Sequence, residues 1–188
     1  MKVLPRTRLA VLAATAVVAG GLLATGAAAQ AATVHPATVH PATATHAGMT
    51  WTVAQQQSNG EVHVSYDATT NAYAGDTPAT AVLPVLCLVA NGAPAPADIT
   101  PGFYAGWGEG WVGLTPAVSG TTLTSEATAD ALCASDFGTG AKEAEFHDGH
   151  YGTGLSSTGG WSFWAYGTIP TGVRFWVAID DQPANPWS

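Results

Sequence analysis

RFWVAIDDQPANPW, Arg174–Trp187, sets Phe175, Val177 and Ile179 against Arg174, Trp176 and Ala178 before it turns into acids and amides. Period-two alternation places successive side chains on opposite faces, so Arg174–Ile179 reads as a strand. Asp180 to Asn185 then reads as a loop that presents oxygen ligands at the strand end. Working back, GGWSFWAYG (Gly159–Gly167) and AEFHDGHYG (Ala144–Gly152) give two further strand segments, Trp161–Tyr166 and Ala141–His147. Near the other end, Trp51–Val53 and Glu61–Tyr66 flank the turn residues Ser58-Asn59-Gly60, which is the pattern of a hairpin. Ala81–Val89 is an unbroken apolar run that Pro84 turns away from helix and towards a buried strand. One helix stands out, Ser125–Phe137. Thr124 or Ser125 caps it, Glu126 suits its first turn, Gly138 ends it, and Ala127, Ala131 and either Leu132 or Cys133 are placed toward the core. With long loops at Asp67–Pro78 and Asn91–Pro101, the expected fold is a single β-rich α+β domain with one main helix.

The N-terminal residues belong to a different regime. Lys2, Arg6 and Arg8 precede the apolar run Leu9–Leu23, and small residues at Ala27–Ala31 offer cleavage sites, so 1–31 reads as a secretory signal. An apolar run of about fifteen residues is shorter than the roughly twenty that span a bilayer. Residues 32–49 carry Thr-Val-His-Pro-Ala twice, at Thr33–Ala37 and Thr38–Ala42, and read as a Pro/Thr/His/Ala-rich disordered linker. The folded domain is expected over 50–188. Once Lys2, Arg6 and Arg8 are removed, two basic residues stand against thirteen acids, for a net charge of −11. A surface this acidic repels nucleic-acid phosphates and anionic lipid headgroups, and it favours solubility outside the cell.

Cys87 and Cys133 are the only cysteines, and in an exported chain they are expected to form a disulfide that closes a loop of roughly 46 residues. A metal-binding pair and two buried free thiols are the alternatives. Gly106-Trp107-Gly108-Glu109-Gly110 has the glycines of a phosphate loop but not the helix that must follow one.

FGTGAKEAEFHDGHYG, GGWSFWAYG and RFWVAIDDQPANPW, with NAYAGDTPATAVLPVLCLV (Asn71–Val89), resemble a group of exported bacterial domains that carry AEFHDG and RFWV-I-DQPANCW motifs over roughly Asn71 to Trp187. Some members are labelled flagellar hook-length control protein, a role that a signal followed by a compact Trp-rich domain does not suit. Ala79 and Pro186 stand where those relatives read cysteines. If the relatives' cysteines pair, their joint loss here leaves no orphan thiol and supports pairing Cys87 with Cys133. More distantly, the element order is similar to the C-type-lectin-like fold. That resemblance implies loops near the terminal strands that hold calcium or sugar, although Gln182-Pro183-Ala184-Asn185 differs from the triplets of sugar-binding members.

Three constellations carry candidate chemistry. Glu145, His147 and Asp148, with His150, offer a general base or a ligand site, and Asp148-Gly149 reads as a turn. Asp180, Asp181 and Asn185 offer the carboxylate and amide oxygens that a hard cation such as calcium takes. Trp107 and Trp111, set among glycines, read as exposed platforms for sugar rings, while Trp161, Trp164 and Trp176 read as core. The leading expectation is an exported, non-enzymatic binding module for carbohydrate or another cell-surface ligand. The alternatives are an exported hydrolase using Glu145, His147 and Asp148, or a structural component of the cell envelope.

Overall fold

A computed structural model describes residues 46–188; the expected signal and most of the expected linker lie outside the described residues. The linker expected over 32–49 ends sooner, because His46–Met49 belong to the fold. Ala47–Gly48 pairs antiparallel with Thr77–Pro78, and Met49 is completely buried. The hairpin forms as expected, from β1 (Thr50–Gln56) and β2 (Glu61–Ser65). The apolar run 81–89 is not one strand. Pro84 divides it, so that Val82–Leu83 pairs separately with Val118–Ser119 and leaves Val82 exposed, while β3 is Leu86–Ala90. Beyond β4 (Gly106–Leu114) comes α1 (Glu126–Phe137), capped by the Ser125 hydroxyl accepting from Thr128 N–H at 3.2 Å. Short strands complete the chain: β5 (Lys142–Glu143), β6 (Gly149–Tyr151), β7 (Ser157–Gly160), β8 (Phe163–Tyr166) and β9 (Phe175–Trp176).

The main sheet curls until its pairings meet. β9 pairs β1, β1 pairs β2, β2 pairs β8, β8 runs parallel to β4, and β4 pairs β3. The circuit closes where Trp176 bridges Val85, its N–H donating to Pro84 O at 2.9 Å, and where Ala178 bridges Glu145. β6 and β7 form a ribbon leaning out from β4. Inside the ring lies the larger core, with Trp51, Val64, Leu86, Phe163, Phe175 and Val177 among its buried members. The alternation of 174–179 holds for Phe175, Val177 and Ile179, which face this core. The opposite face is not solvent: Trp176 enters a second core, beneath α1.

That second core contains Val85, Cys87, Leu123, Ala129, Cys133 and Trp176. The face of α1 differs in part from expectation: Cys133 is buried, as one of the two alternatives had it, but it is joined by Ala129, whereas Ala127 and Ala131 are exposed. The Cys87–Cys133 disulfide is formed, with Cα atoms 5.5 Å apart, and it staples the helix to the ring. By loop entropy it stabilises by about 4 kcal/mol. Ala79 and Pro186 both lie against His46, whose carbonyl accepts from Ala79 N–H at 3.2 Å and whose ring meets the Pro186 carbonyl. No helix among the described residues is long and apolar enough to cross a membrane.

Candidate functional site

An open cleft of about 290 Å³ lies where the loop after β2 faces the corner after Ile179. Tyr66 and Tyr73 line one wall, Phe146 and Ile179 the floor, and Trp161 the far side. The polar lining consists of Thr70, Asn71, His147, Asp181 and Gln182. Tyr73 is 72% exposed and Trp161 40%, so large aromatic surface faces water here. The rings continue past the cleft: Phe146 and Trp161 lie 6.2 Å apart, Trp161 and Phe103 5.3 Å, and Trp161 and Tyr104 5.6 Å.

The AEFHDG segment builds the floor. Glu145–Asp148 is a tight turn, with Asp148 N–H donating to Glu145 O at 3.1 Å, so the corner is Phe146-His147 rather than the expected Asp148-Gly149. Gly149 serves another purpose. A Cβ there would stand 2.6 Å from the Ser162 carbonyl, so only glycine lets β6 approach so closely. The Glu145 carboxylate accepts from His147 N–H at 2.5 Å, His147 Nδ1 at 3.1 Å and Asp180 N–H at 3.2 Å. It thereby ties His147 to the corner that carries Asp181. Burial pushes the Glu145 carboxyl up, and the N–H donors of His147 and Asp180 oppose the shift. Asp148 accepts from Glu145 N–H at 2.8 Å and from Lys142 Nζ at 2.6 Å. Burial raises its carboxyl too, against the pull of Lys142. The Lys142 ammonium is lowered by burial, but the Asp148 charge and hydrogen bond outweigh this and leave it raised.

The wall is set by Arg174. Its Nη1 donates to Asp67 at 2.7 Å, its Nε to Thr50 Oγ1 at 2.8 Å, and its Nη2 to Thr50 O at 2.9 Å and Thr70 Oγ1 at 3.2 Å. Asp76 lies 3.5 Å from the same guanidinium and accepts from the N–H groups of Thr50 and Asn71, each at 3.1 Å. Burial alone would raise the Asp67 carboxyl, but the Thr69 hydroxyl and N–H together with Arg174 pull it down to about 2. The segment bearing Thr70, Asn71 and Tyr73 is therefore clamped from behind.

The structure brings together only part of the predicted set. His147 and Asp181 line the cleft, Glu145 and Asp148 support it from below, and Asp180 is exposed at its corner. Asn185 is not available to a ligand. Its Oδ1 accepts from Ile179 N–H at 2.9 Å and its Nδ2 donates to Ile179 O at 2.8 Å, so it clamps the corner's backbone. The expected calcium set of Asp180, Asp181 and Asn185 is accordingly not assembled. Among the described residues, no three His, Cys, Asp or Glu side chains group to hold a metal.

The tryptophan assignments are partly reversed. Trp107 is fully buried and donates from Nε1 to Ala93 O at 2.7 Å, while Trp161, expected in the core, is exposed in the cleft. Trp111 is 53% exposed but packs on Tyr166, outside the cleft lining. Tyr66 and Tyr73 are site residues that sequence reasoning missed. The aromatic character of Tyr73 within a polar loop is the signal that could have found it.

Three further groups bear on the chemistry. His63 stacks on Trp164 at 4.9 Å and bonds Ser162 Oγ at 2.8 Å. Burial lowers it to about 4. Ser162 is fully buried and donates to Tyr104 O at 2.5 Å, which makes it a structural hydroxyl rather than a nucleophile. Glu143 is buried with neither carboxyl oxygen hydrogen-bonded. No family model matches the chain, and no curated protein or solved structure is similar to it. Function is therefore read from the cleft itself.

Proposed function

We infer that this is an exported module, acting outside the cell after loss of residues 1–31, that binds a saccharide in the aromatic cleft without transforming it. The observation that carries the reading is the exposed group Tyr66, Tyr73 and Trp161 around a polar set of Asn71, His147, Asp181 and Gln182. Sugar rings present apolar C–H faces that stack on aromatic rings, and their hydroxyls pair with amides and carboxylates at the edges. A concave, mainly apolar site with a few convergent polar groups has this composition. A clamped wall supports the reading further, because a preformed site loses less conformational entropy on binding.

The test is isothermal titration of the mature domain with soluble glycan oligomers, alongside Trp161→Ala and Tyr73→Ala. The expected result is saturable binding weakened at least about tenfold by each change, since truncating an aromatic anchor at a binding centre costs about 2 kcal/mol. Binding that survives both changes, or no binding to any glycan, would refute the proposal. One observation favours a hydrolase instead: Glu145 holds His147 Nδ1, the arrangement by which a carboxylate orients a general base. Oligomer cleavage that disappears in His147→Gln would establish that reading.

A further inference from the structure

The electrostatics of the cleft narrow the ligand. The two basic side chains among the described residues are both engaged: Lys142 lies 2.6 Å from Asp148, and Arg174 is shared between Asp67 and Asp76 at 2.7 and 3.5 Å. Neither of them lines the cleft. Its polar edge instead carries the exposed carboxylate of Asp181, with exposed Asp180 beside it in sequence and Glu145 hydrogen-bonded to His147. An anionic polymer meets like charge here and has no lysine or arginine with which to pair, and the one imidazole, His147, is already held by Glu145. Aromatic rings, by contrast, present a negative quadrupole face that attracts a cation within about 6 Å. Three exposed rings and one exposed carboxylate in a single concavity are the chemical complement of an ammonium group.

The strip of rings that runs on from the cleft adds a second constraint. From Trp161 it passes to Phe103 and Tyr104, and from Phe103 to Tyr151 at 5.7 Å. Phe103, Tyr104 and Trp161 are all exposed. Stacking surface beyond a single pocket suits consecutive units of a chain rather than one monosaccharide.

Resting on the saccharide reading above, we propose that the preferred ligand is a polymer of amino sugars bearing free, protonated amines. Asp181 pairs with one ammonium, Tyr66, Tyr73 and Trp161 surround that unit, and the neighbouring units lie along Phe103 and Tyr104. The acidic excess of the domain, twelve carboxyl groups besides the buried Glu143 against two cations in the described residues, steers such a polycation toward it.

The experiment compares four probes on the folded domain by titration calorimetry: a deacetylated hexosamine oligomer, its fully N-acetylated counterpart, a neutral glucose oligomer and a lysine-rich peptide of similar charge. The expected order places the deacetylated oligomer first, with a preference that shrinks in high salt and as the pH rises through the titration of its amines. Asp181→Asn, at an exposed position, should weaken that probe about fivefold more than it weakens the acetylated oligomer, the equivalent of one partly exposed ion pair. Equal binding of neutral and cationic oligomers overturns the amine preference while leaving a saccharide site standing. Preference for the lysine peptide overturns the proposal in favour of a protein ligand. Binding of none of the four overturns both readings.

Discussion

Replacing Glu143 with methionine should stabilise this domain, and the gain should grow with pH. Glu143 opposes Cys87 across β3 and β5 and is 2% exposed, and both of its carboxyl oxygens lack a hydrogen-bond partner. Burial pushes its carboxyl well above the ordinary carboxylate range, and the charges of Asp130, Glu126 and Asp180 push the same way. The folded state therefore retains a proton that the unfolded chain releases. Below the unfolded carboxyl's own titration near pH 4.5 both states are protonated, and the only cost is an unpaired polar group, about 1–3 kcal/mol. Above it, the folded state loses up to about 1.4 kcal/mol for each pH unit until its own raised value is passed.

Methionine has nearly the same length, adds no charge and fills the same space beside Cys87. Urea unfolding of wild type and Glu143→Met at pH 4.5, 6 and 7.5, with the disulfide intact, gives the difference directly. A gain of about 1–3 kcal/mol at pH 4.5 that widens at 7.5 is the expected result. A loss of stability that is the same at all three values would mean that the carboxyl is paired, and the reasoning would fail. Glu143→Gln separates the two parts, because it removes the titration but keeps a polar group in place.

Two other perturbations follow from the same kind of reasoning. His63 is neutral in the fold at about 4 against 6.5 unfolded, so it contributes stability that is complete above pH 6.5 and is lost as the pH falls toward 4. The loss is at most about 3 kcal/mol, and His63→Gln should flatten that limb of a melting-temperature profile between pH 4 and 7. Arg174→Ala removes the shared partner of Asp67, Asp76, Thr50 and Thr70, and it should cost about 2–4 kcal/mol. Hydrogen exchange should then rise over residues 67–76 before it rises in the ring strands, and uniform exchange across the domain would contradict the clamp.

Local rules serve where the decisive interaction is local. The β1–β2 hairpin follows from its turn residues, the start of α1 from Ser125, and the disulfide from the two cysteines of a chain read as exported. Assignments fail where the decisive neighbour is distant in sequence. Glycines around Trp107 suggest exposure, yet bare backbone at Gly108 admits the Phe163 ring, which a Cβ there would meet at 2.8 Å, and the same economy packs Trp107 inside. Trp161 resembles core because it opens an aromatic strand, but it precedes β8 and turns outward to Phe103 and Tyr104. On α1, small apolar residues occupy every face, so nothing in the segment distinguishes Ala129 from Ala127. Asn185 has the side chain of a metal ligand, and only the position of Ile179 reveals it as a backbone clamp. The cleft is the least legible part, because it joins residues near 70, 147, 161 and 181 that meet only after the ring has closed.

Closure also has a temporal meaning. The stave that completes the ring, Phe175–Trp176, follows every other described strand in sequence, and it must slot between Trp51 at one end and Val85 at the other. Until it arrives, β1 retains an open edge, Val85 lacks its bridge to Trp176, and the larger core lacks Phe175, Val177 and Ile179. The ring of a nascent chain therefore cannot close until this stave has emerged. Contacts of such sequence separation also form slowly afterwards. The architecture postpones burial of the larger core until that last pairing has formed.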